Sequence, residues 1–316
     1  MPTSPATSPV PPPVFMPQIS IASAAPTSIP MPPPKGKPVS KPTKGDKPIE
    51  MTKFPLPKLR LEIRDLNHAG SQTFLTAVIA TEALQTAVQS VLALLYESPH
   101  CPTTTIPTTR SVTLILRSME GVAYTTGSEL DNDHKEIHFS LDYIQNAVRS
   151  ERKKNEIMGV LTHEMVHCYQ YDAFSTCPGG LIEGIADWVR LNADLSPPHW
   201  KKEAGGKWDA GYQHTGYFLE YLEKRFGKGT VRRLNEKLRI ERYEEKRFWT
   251  ELCGRPVKQL WRDYSEYLEA EKRKIEEEEC VIVEKEDATI SRKFETGGGD
   301  ANPTLTTKTK DTPQKP

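Results

Sequence analysis

Several protein classes are excluded by what the chain does not contain. Its 316 residues include no run approaching about 18 consecutive apolar residues, so no membrane-spanning helix and no membrane partner are expected. Lys+Arg and Asp+Glu tie at 42 each. The basic excess of a bulk nucleic-acid binder is missing, and no nucleic-acid partner is expected. Cysteine is sparse and odd in number. Cys101, Cys168, Cys177, Cys253 and Cys280 are widely spaced, which is no disulfide framework and fits reduced thiols. The opening MPTSPATSPVPPPVF has neither a basic n-region nor an unbroken apolar h-region. It does not read as a secretory leader, and a cytoplasmic location is the expectation. Hydrophobic residues amount to 36 %, below the roughly 45–50 % of a compact domain. Part of the chain is therefore expected to lie outside any core.

Proline marks that part. Residues 1–58 hold 17 of the 27 prolines, too little apolar surface to offset the entropy of ordering. A disordered tail is expected there, with polyproline stretches at Pro11–Pro13 and Pro32–Pro34 that suit a partner recognising Pro-rich motifs. A second tail is expected from about Asp287, ending in GGGDANPTLTTKTKDTPQKP. The acidic run Glu276–Glu279 points all round a helix and reads as its solvated end. Residues 59–275 form one domain, followed over 276–316 by the helix end and tail. Leu59, Leu61 and Ile63 alternate with charged residues, which predicts a strand. Ser71 is placed to cap a long helix reaching Tyr96, with Phe74, Val78, Val88, Val91, Leu92 and Leu95 on its apolar face. Val112–Leu116 and Glu136–Ser140 predict further strands, the second at a sheet edge. Helices are expected over 156–171, 181–194, 210–226, 230–239, 244–252 and 256–280. Gly227 suits a C′ position and Pro256 a first turn. The fold class is α+β: a small mixed sheet, then a mostly helical C-terminal part.

The chemistry sits at His163-Glu164-Met165-Val166-His167. Two histidines at i and i+4 share a helical face, so both imidazoles can reach one tetrahedral Zn²⁺. Glu164 stands beside the open position. There it can take a proton from water whose pKa the metal lowers to about 7. Ile157, Val160, Leu161 and Val166 show that the helix is packed. A third ligand is needed. The longer motif with a third histidine fails, because Gln170 stands at its glycine and Ala173 at its last position. Leu181-Ile182-Glu183-Gly184-Ile185-Ala186-Asp187 instead places two carboxylates one turn apart on an apolar helix, a costly arrangement without a cation. Glu183 is assigned as third ligand. Asp187 is assigned the other ring N–H of a ligating histidine. Asp172, at the helix end, is the rival ligand. Cys168 reads as a core thiol, and His138 as an ordinary strand residue.

These stretches resemble a known family. VLTHEMVHCYQYDAF, GGLIEGIADWVRL and SPPHWKKEAGGKWDAGYQHTGYFLEYLEKRFG are similar to segments of the plant basic secretory protein family. SVTLILRSMEGVAYTTG and EIHFSLDYI resemble its strand segments, and FWTELCGRPVKQLWRDY its C-terminal helices. The likeness covers about residues 59–267. It implies a zincin-like metallopeptidase of the glutamate-ligand type acting on peptide or protein substrates. His163, His167 and Glu183 would hold zinc, and Glu164 would be the general base. Tyr212 matches a tyrosine of the family segment and is the candidate for stabilising the oxyanion, with His214 and Tyr217 as alternatives. Trp188, His199, Trp200 and Trp208 are candidates for a cleft wall, although aromatics at such spacing more often pack in a core. An exposed edge strand would pair with the substrate backbone. Plant members are basic, exported and tied to defence. This chain is neutral and without an evident leader, so export rests on family analogy alone. The alternative function is a zinc-binding interaction protein of the same fold. A third class, an adaptor working through the Pro-rich tail, needs no zinc.

Overall fold

The computed structural model describes residues 54–146 and 150–295. The expected Pro-rich tail up to residue 53, its motif partner and the last stretch from 296 lie outside the described residues. The core reaches back to Phe54, which is buried. Its backbone N–H donates to Gln89 Oε1 (3.2 Å), and its carbonyl accepts from Gln89 Nε2 (2.9 Å).

A four-stranded sheet runs in the order β1-β2-β4-β3. β1 (Lys58–Ile63), β2 (Ser111–Arg117) and β4 (His134–Ser140) are parallel, and β3 (Ala123–Gly127) is antiparallel to β4. The fold is thus the small mixed sheet and helical remainder of an α+β protein. Val112, Leu114, Leu116, Ile137 and Phe139 are fully buried. Such near-continuous apolar runs are what interior parallel strands require. This corrects the expectation for Glu136–Ser140: β4 is an interior strand, and the edge beside it is β3. Its Ala-Tyr-Thr-Thr-Gly sequence shows no apolar alternation, so periodicity does not reveal it.

The long helix expected from Ser71 to Tyr96 is two helices, α1 (Ala69–Ala77) and α2 (Ala80–Tyr96), at 68° to each other. Val78 and Ile79 between them are extended, the conformation that a β-branched pair favours. Each helix meets a different partner. Gly70 brings α1 against the start of α3 (Leu141–Asn146), where a Cβ would lie 2.2 Å from Leu141 O, while α2 packs on the helix over Lys153–His167. The cap of α1 is His68, whose Nδ1 accepts from Gly70 N (3.0 Å). Ser71 does not supply it.

The remaining helices are α4 (Lys153–His167), α5 (Gly179–Asn192), α6 (Tyr212–Phe226), α7 (Thr230–Ile240), α8 (Glu245–Cys253) and α9 (Val257–Glu295). Gly227 (φ 92°) closes α6. α9 continues past Asp287, where its apolar periodicity fades. No single described helix is long and apolar enough to cross a membrane.

α4 and α5 carry the residues of the motif. α4 is buried on every side from Ile157 to Val166, as a central helix should be. α5 is clamped between α4 and α6 by close approach at glycine. A Cβ at Gly184 would fall 2.3 Å from Thr215 Cγ2. Thr215 cannot yield, because its hydroxyl donates to Trp208 O (2.8 Å) and accepts from Gly211 N (3.0 Å). Gly184→Ala should therefore destabilise the domain by about 1–3 kcal/mol despite its higher helix propensity, read as a lower urea midpoint at unchanged m-value.

Candidate metal centre

The turn from α4 to α5 folds the chain back through three successive left-handed residues, Ala173, Phe174 and Ser175. Asp172 braces it by accepting from Ser175 N (3.1 Å) and Ser175 Oγ (3.3 Å). The rival ligand is therefore employed in the turn and is not part of the donor cluster. The reversal lays α5 along α4, so that Glu183 and Asp187, one turn apart, both face His163.

His163 Nε2 lies 3.0 Å from Glu183 Oε2 and 3.3 Å from His167 Nε2. His167 Nε2 lies 3.8 Å from Glu183 Oε2. These three residues offer donor atoms all within 4.8 Å of one another, a set that could hold a metal ion. A tetrahedral ion with N and O donors at roughly 2.0–2.1 Å needs them about 3.3–3.4 Å apart, and the three separations bracket that value. On the other side of the ring, His163 Nδ1 donates to Asp187 Oδ1 at 2.7 Å, in a buried contact. That bond places the proton on Nδ1 and turns the Nε2 lone pair toward the cluster. The residues present fit a divalent cation of the zinc type.

Glu164 is buried beside this cluster. Thr125 of β3 donates to its Oε2 (2.7 Å) and approaches its carbonyl oxygen (3.0 Å). No sequence signal named Thr125, because the contact joins residues 39 apart. Tyr212 lies over His163, with ring centroids 6.1 Å apart and planes at 15°. Its left-handed backbone (φ 47°) follows Gly211 (φ 92°). A Cβ at residue 211 would lie 3.4 Å from Gly180 Cα, against the start of α5. His214 turns away to Trp261 and Lys207 O, and Tyr217 packs on Trp200. Trp188 and Trp208 are buried in the core, whereas His199 and Trp200 line the cleft. Cys168 is a buried thiol whose Sγ lies 3.8 Å from Glu164 O. His138 stacks on Tyr124 (4.5 Å, 7°) outside the donor set.

The cluster opens into a cleft of about 1010 Å³. β3 forms one wall, and among the described residues its one strand partner is β4. Ser140 N donates to Val122 O (2.9 Å) and Ser128 N to His134 O (2.8 Å). Bonded and open positions alternate in an antiparallel ladder, so Ala123, Thr125 and Gly127 turn their backbone groups away from β4.

Burial alone would push the His163 pKa down, but the hydrogen bonds to Asp187 and Glu183 outweigh it and raise it to about 9. Burial and the neighbouring His163 charge lower His167 to about 4. Burial raises Glu164, against the opposing pull of His163 and the Thr125 hydroxyl. Burial of Glu183 is overcome by the hydrogen bond and charges of the two histidines, and its pKa falls. The Glu183 carboxylate, then burial, raises Tyr212, so its phenol remains a donor at neutral pH.

The sheet, the two-histidine helix and the carboxylate helix behind it define an α+β domain built round one candidate metal centre. Residues 56–264 match the family described as peptidases of plants and bacteria, and the chain belongs to that basic secretory protein family. No curated protein and no solved structure matches the chain.

In metal-free protein the raised pKa of His163 stabilises the fold fully below about pH 6.5 and less as pH rises through about 9. Denaturant midpoints of chelated protein should therefore decline from pH 6.5 to 9. Asp187→Asn, which weakens the partner of Nδ1, should flatten that decline. An equal decline in the variant would show that another group is responsible.

Proposed function

We propose that the protein is a zinc-dependent peptidase with His163, His167 and Glu183 as metal ligands and Glu164 as general base. One observation carries the reading: three donors from two helices converge within 4.8 Å, with a buried carboxylate held beside them by Thr125. A zinc ion held there would supply Lewis acidity, polarising a substrate carbonyl and acidifying a neighbouring water.

The chain's own groups divide the rest of the work. Asp187 keeps the proton on His163 Nδ1 and fixes the ring. Thr125 occupies Glu164 Oε2, leaving Oε1 to accept a proton from the attacking water. As the C–N bond breaks, Glu164 hands that proton to the leaving amine nitrogen. The Tyr212 hydroxyl donates to the oxyanion that forms on the carbonyl. The outward backbone groups of Ala123, Thr125 and Gly127 pair with an extended substrate running antiparallel to β3. This edge role, first expected of Glu136–Ser140, passes to the neighbouring strand.

Metal analysis and peptide hydrolysis test the reading together. Zinc should copurify, chelation should abolish cleavage, and zinc should restore it. Glu164→Gln should keep the metal and lose about 10²–10⁴-fold in kcat. Stoichiometric zinc without hydrolysis in the parent protein would favour a non-catalytic binding module. Glu183→Ala should lose most of its zinc, and full occupancy would move the third ligand elsewhere. Thr125→Val should lower kcat about tenfold with KM little changed, on the scale of a lost hydrogen bond to a charged group. Thr125→Ser, which keeps the hydroxyl, should recover most of it.

A further inference from the structure

One end of the cleft holds a buried cation that the hydrolytic reading does not use. Arg190 lies on α5 three residues beyond Asp187 and seven beyond Glu183, on the same helical face. Its side chain is 8 % exposed and lines the cleft. The guanidinium is seated against Gly159 of α4, where a Cβ would come within 2.6–2.8 Å of Nε, Nη2 and Cζ. Nε donates to Leu195 O (3.1 Å), and Nη2 donates to Glu156 Oε1 (3.1 Å). Tyr143 donates to that same oxygen (2.9 Å). The Trp200 ring stands over the guanidinium, 5.3 Å from centroid to Cζ. Packing thus holds the fork on four sides. Nη1 has no hydrogen-bond partner among the described residues and is not among the buried atoms left unsatisfied. It is the one nitrogen of the fork without a partner there, while Nε and Nη2 are held.

The position along the cleft sets which part of a substrate arrives there. Val122, just before β3, pairs with Ser140. Tyr143 follows Ser140 and contacts Glu156, so the Ala123 end of β3 lies toward Arg190, with Thr125 at Glu164. A peptide antiparallel to β3 enters from the Gly127 side and sends its C-terminal, leaving-group portion toward Arg190. Gly159 precedes His163 by four residues, about 6 Å along the helix, or about two extended peptide residues.

We propose that Arg190 is a specificity-determining residue that binds a substrate carboxylate one or two residues beyond the scissile bond. The inference rests on the peptidase reading for its polarity. The unpaired Nη1 of a fixed, permanently charged guanidinium offers charge-assisted donors that suit a carboxylate. Glu156 pairs with Nη2 (3.1 Å), so a second carboxylate would be received at Nη1. The carboxylate comes either from the substrate's own C-terminus or from an acidic side chain.

Binding separates these sources without turnover. Zinc-loaded Glu164→Gln protein is titrated calorimetrically with N-acetylated, alanine-rich tetrapeptides. One set ends in carboxylate and one in carboxamide. A third set is amidated with glutamate at the last or second-last position. Carboxylate-bearing peptides should bind at least about tenfold tighter than the amidated alanine set. Preference for the first set alone identifies the C-terminus, and preference for the third identifies a side chain. In the Arg190→Lys background the preference should shrink to about twofold or less with zinc content unchanged. Gly159→Ala, which crowds the guanidinium without removing it, should do the same. Equal or undetectable binding of all three sets overturns the proposal, as does a preference that survives both substitutions. The same peptides incubated with the zinc-loaded parent protein test the hydrolase separately. Preferential binding without cleavage sinks the peptidase reading and leaves the carboxylate site. Cleavage without preference does the reverse.

Discussion

The buried hydrogen bond from His163 Nδ1 to Asp187 Oδ1, 2.7 Å long, joins the two helices on which the candidate centre depends. A carboxylate as enclosed as Asp187, 3 % exposed, is costly to bury without a partner, and His163 is that partner. The bond orients the ring, points Nε2 at Glu183 and His167, and fixes the rotation of α5 about its own axis. With α5 rotated so, Arg190 also reaches the cleft. The backbone makes this register possible at three glycines. Gly159 admits the guanidinium, Gly184 admits Thr215, and Gly180 lies where a Cβ would fall 1.8 Å from Asp209 O. That last contact anchors the segment leading into Tyr212. The donor cluster, the tyrosine and the arginine are therefore consequences of one helix–helix docking.

Legibility in the sequence follows the range of the interaction. His163 with His167, and Glu183 with Asp187, are pairs one helical turn apart, and 3.6-residue periodicity alone puts each pair on one face. Their helices were readable for the same reason. The approach of the two pairs depends on the turn at Ala173–Ser175 and on the docking of α5 against α4, which periodicity does not specify. Residues whose roles depend on distant partners were not readable. Thr125 meets Glu164 across 39 positions and Arg190 meets Glu156 across 34. The break at Val78–Ile79 has no proline or glycine to announce it. It arises because α1 docks on α3 and α2 on α4, a tertiary demand that overrides local helix periodicity. β3 escaped periodicity because one of its faces reaches the polar cleft and the other carries Tyr124 against His138.

That polar wall explains how β3 combines two tasks. As the outer strand it leaves Ala123, Thr125 and Gly127 with unpaired backbone groups, normally a liability for unwanted pairing. Here the exposed edge is only five residues long. It ends at Gly127, where Asn132 Oδ1 lies 2.0 Å from the position a Cβ would take. Asn132 thus fills the side-chain position at that end, where its Oδ1 accepts from Lys135 Nζ (2.9 Å). The Thr125 side chain reaches Glu164 (2.7 Å) while its main chain faces outward, so a peptide paired along this edge would be linked to the carboxylate through one residue.

The electrostatics of the donor cluster set its two imidazoles against each other. Glu164, Glu183 and Asp187 crowd around two imidazoles in a largely buried space. Proton occupancy cannot satisfy all of them at once. A proton added to His163 is welcomed by two carboxylates and raises its pKa, yet the same charge presses His167 toward its neutral form. The metal-free cluster thus has one imidazole that favours protonation and, 3.3 Å away, another that resists it. A single divalent charge between the three donors would release the proton from His163 Nε2, use the lone pair of the neutral His167, and offset the carboxylates together. Because deprotonation of the ligand and metal capture are the same event, affinity and fold stability become linked. Acid would weaken binding chiefly by returning the proton to His163. The bond to Asp187 would persist in either state, so the scaffold that positions the donors survives the exchange of proton for metal.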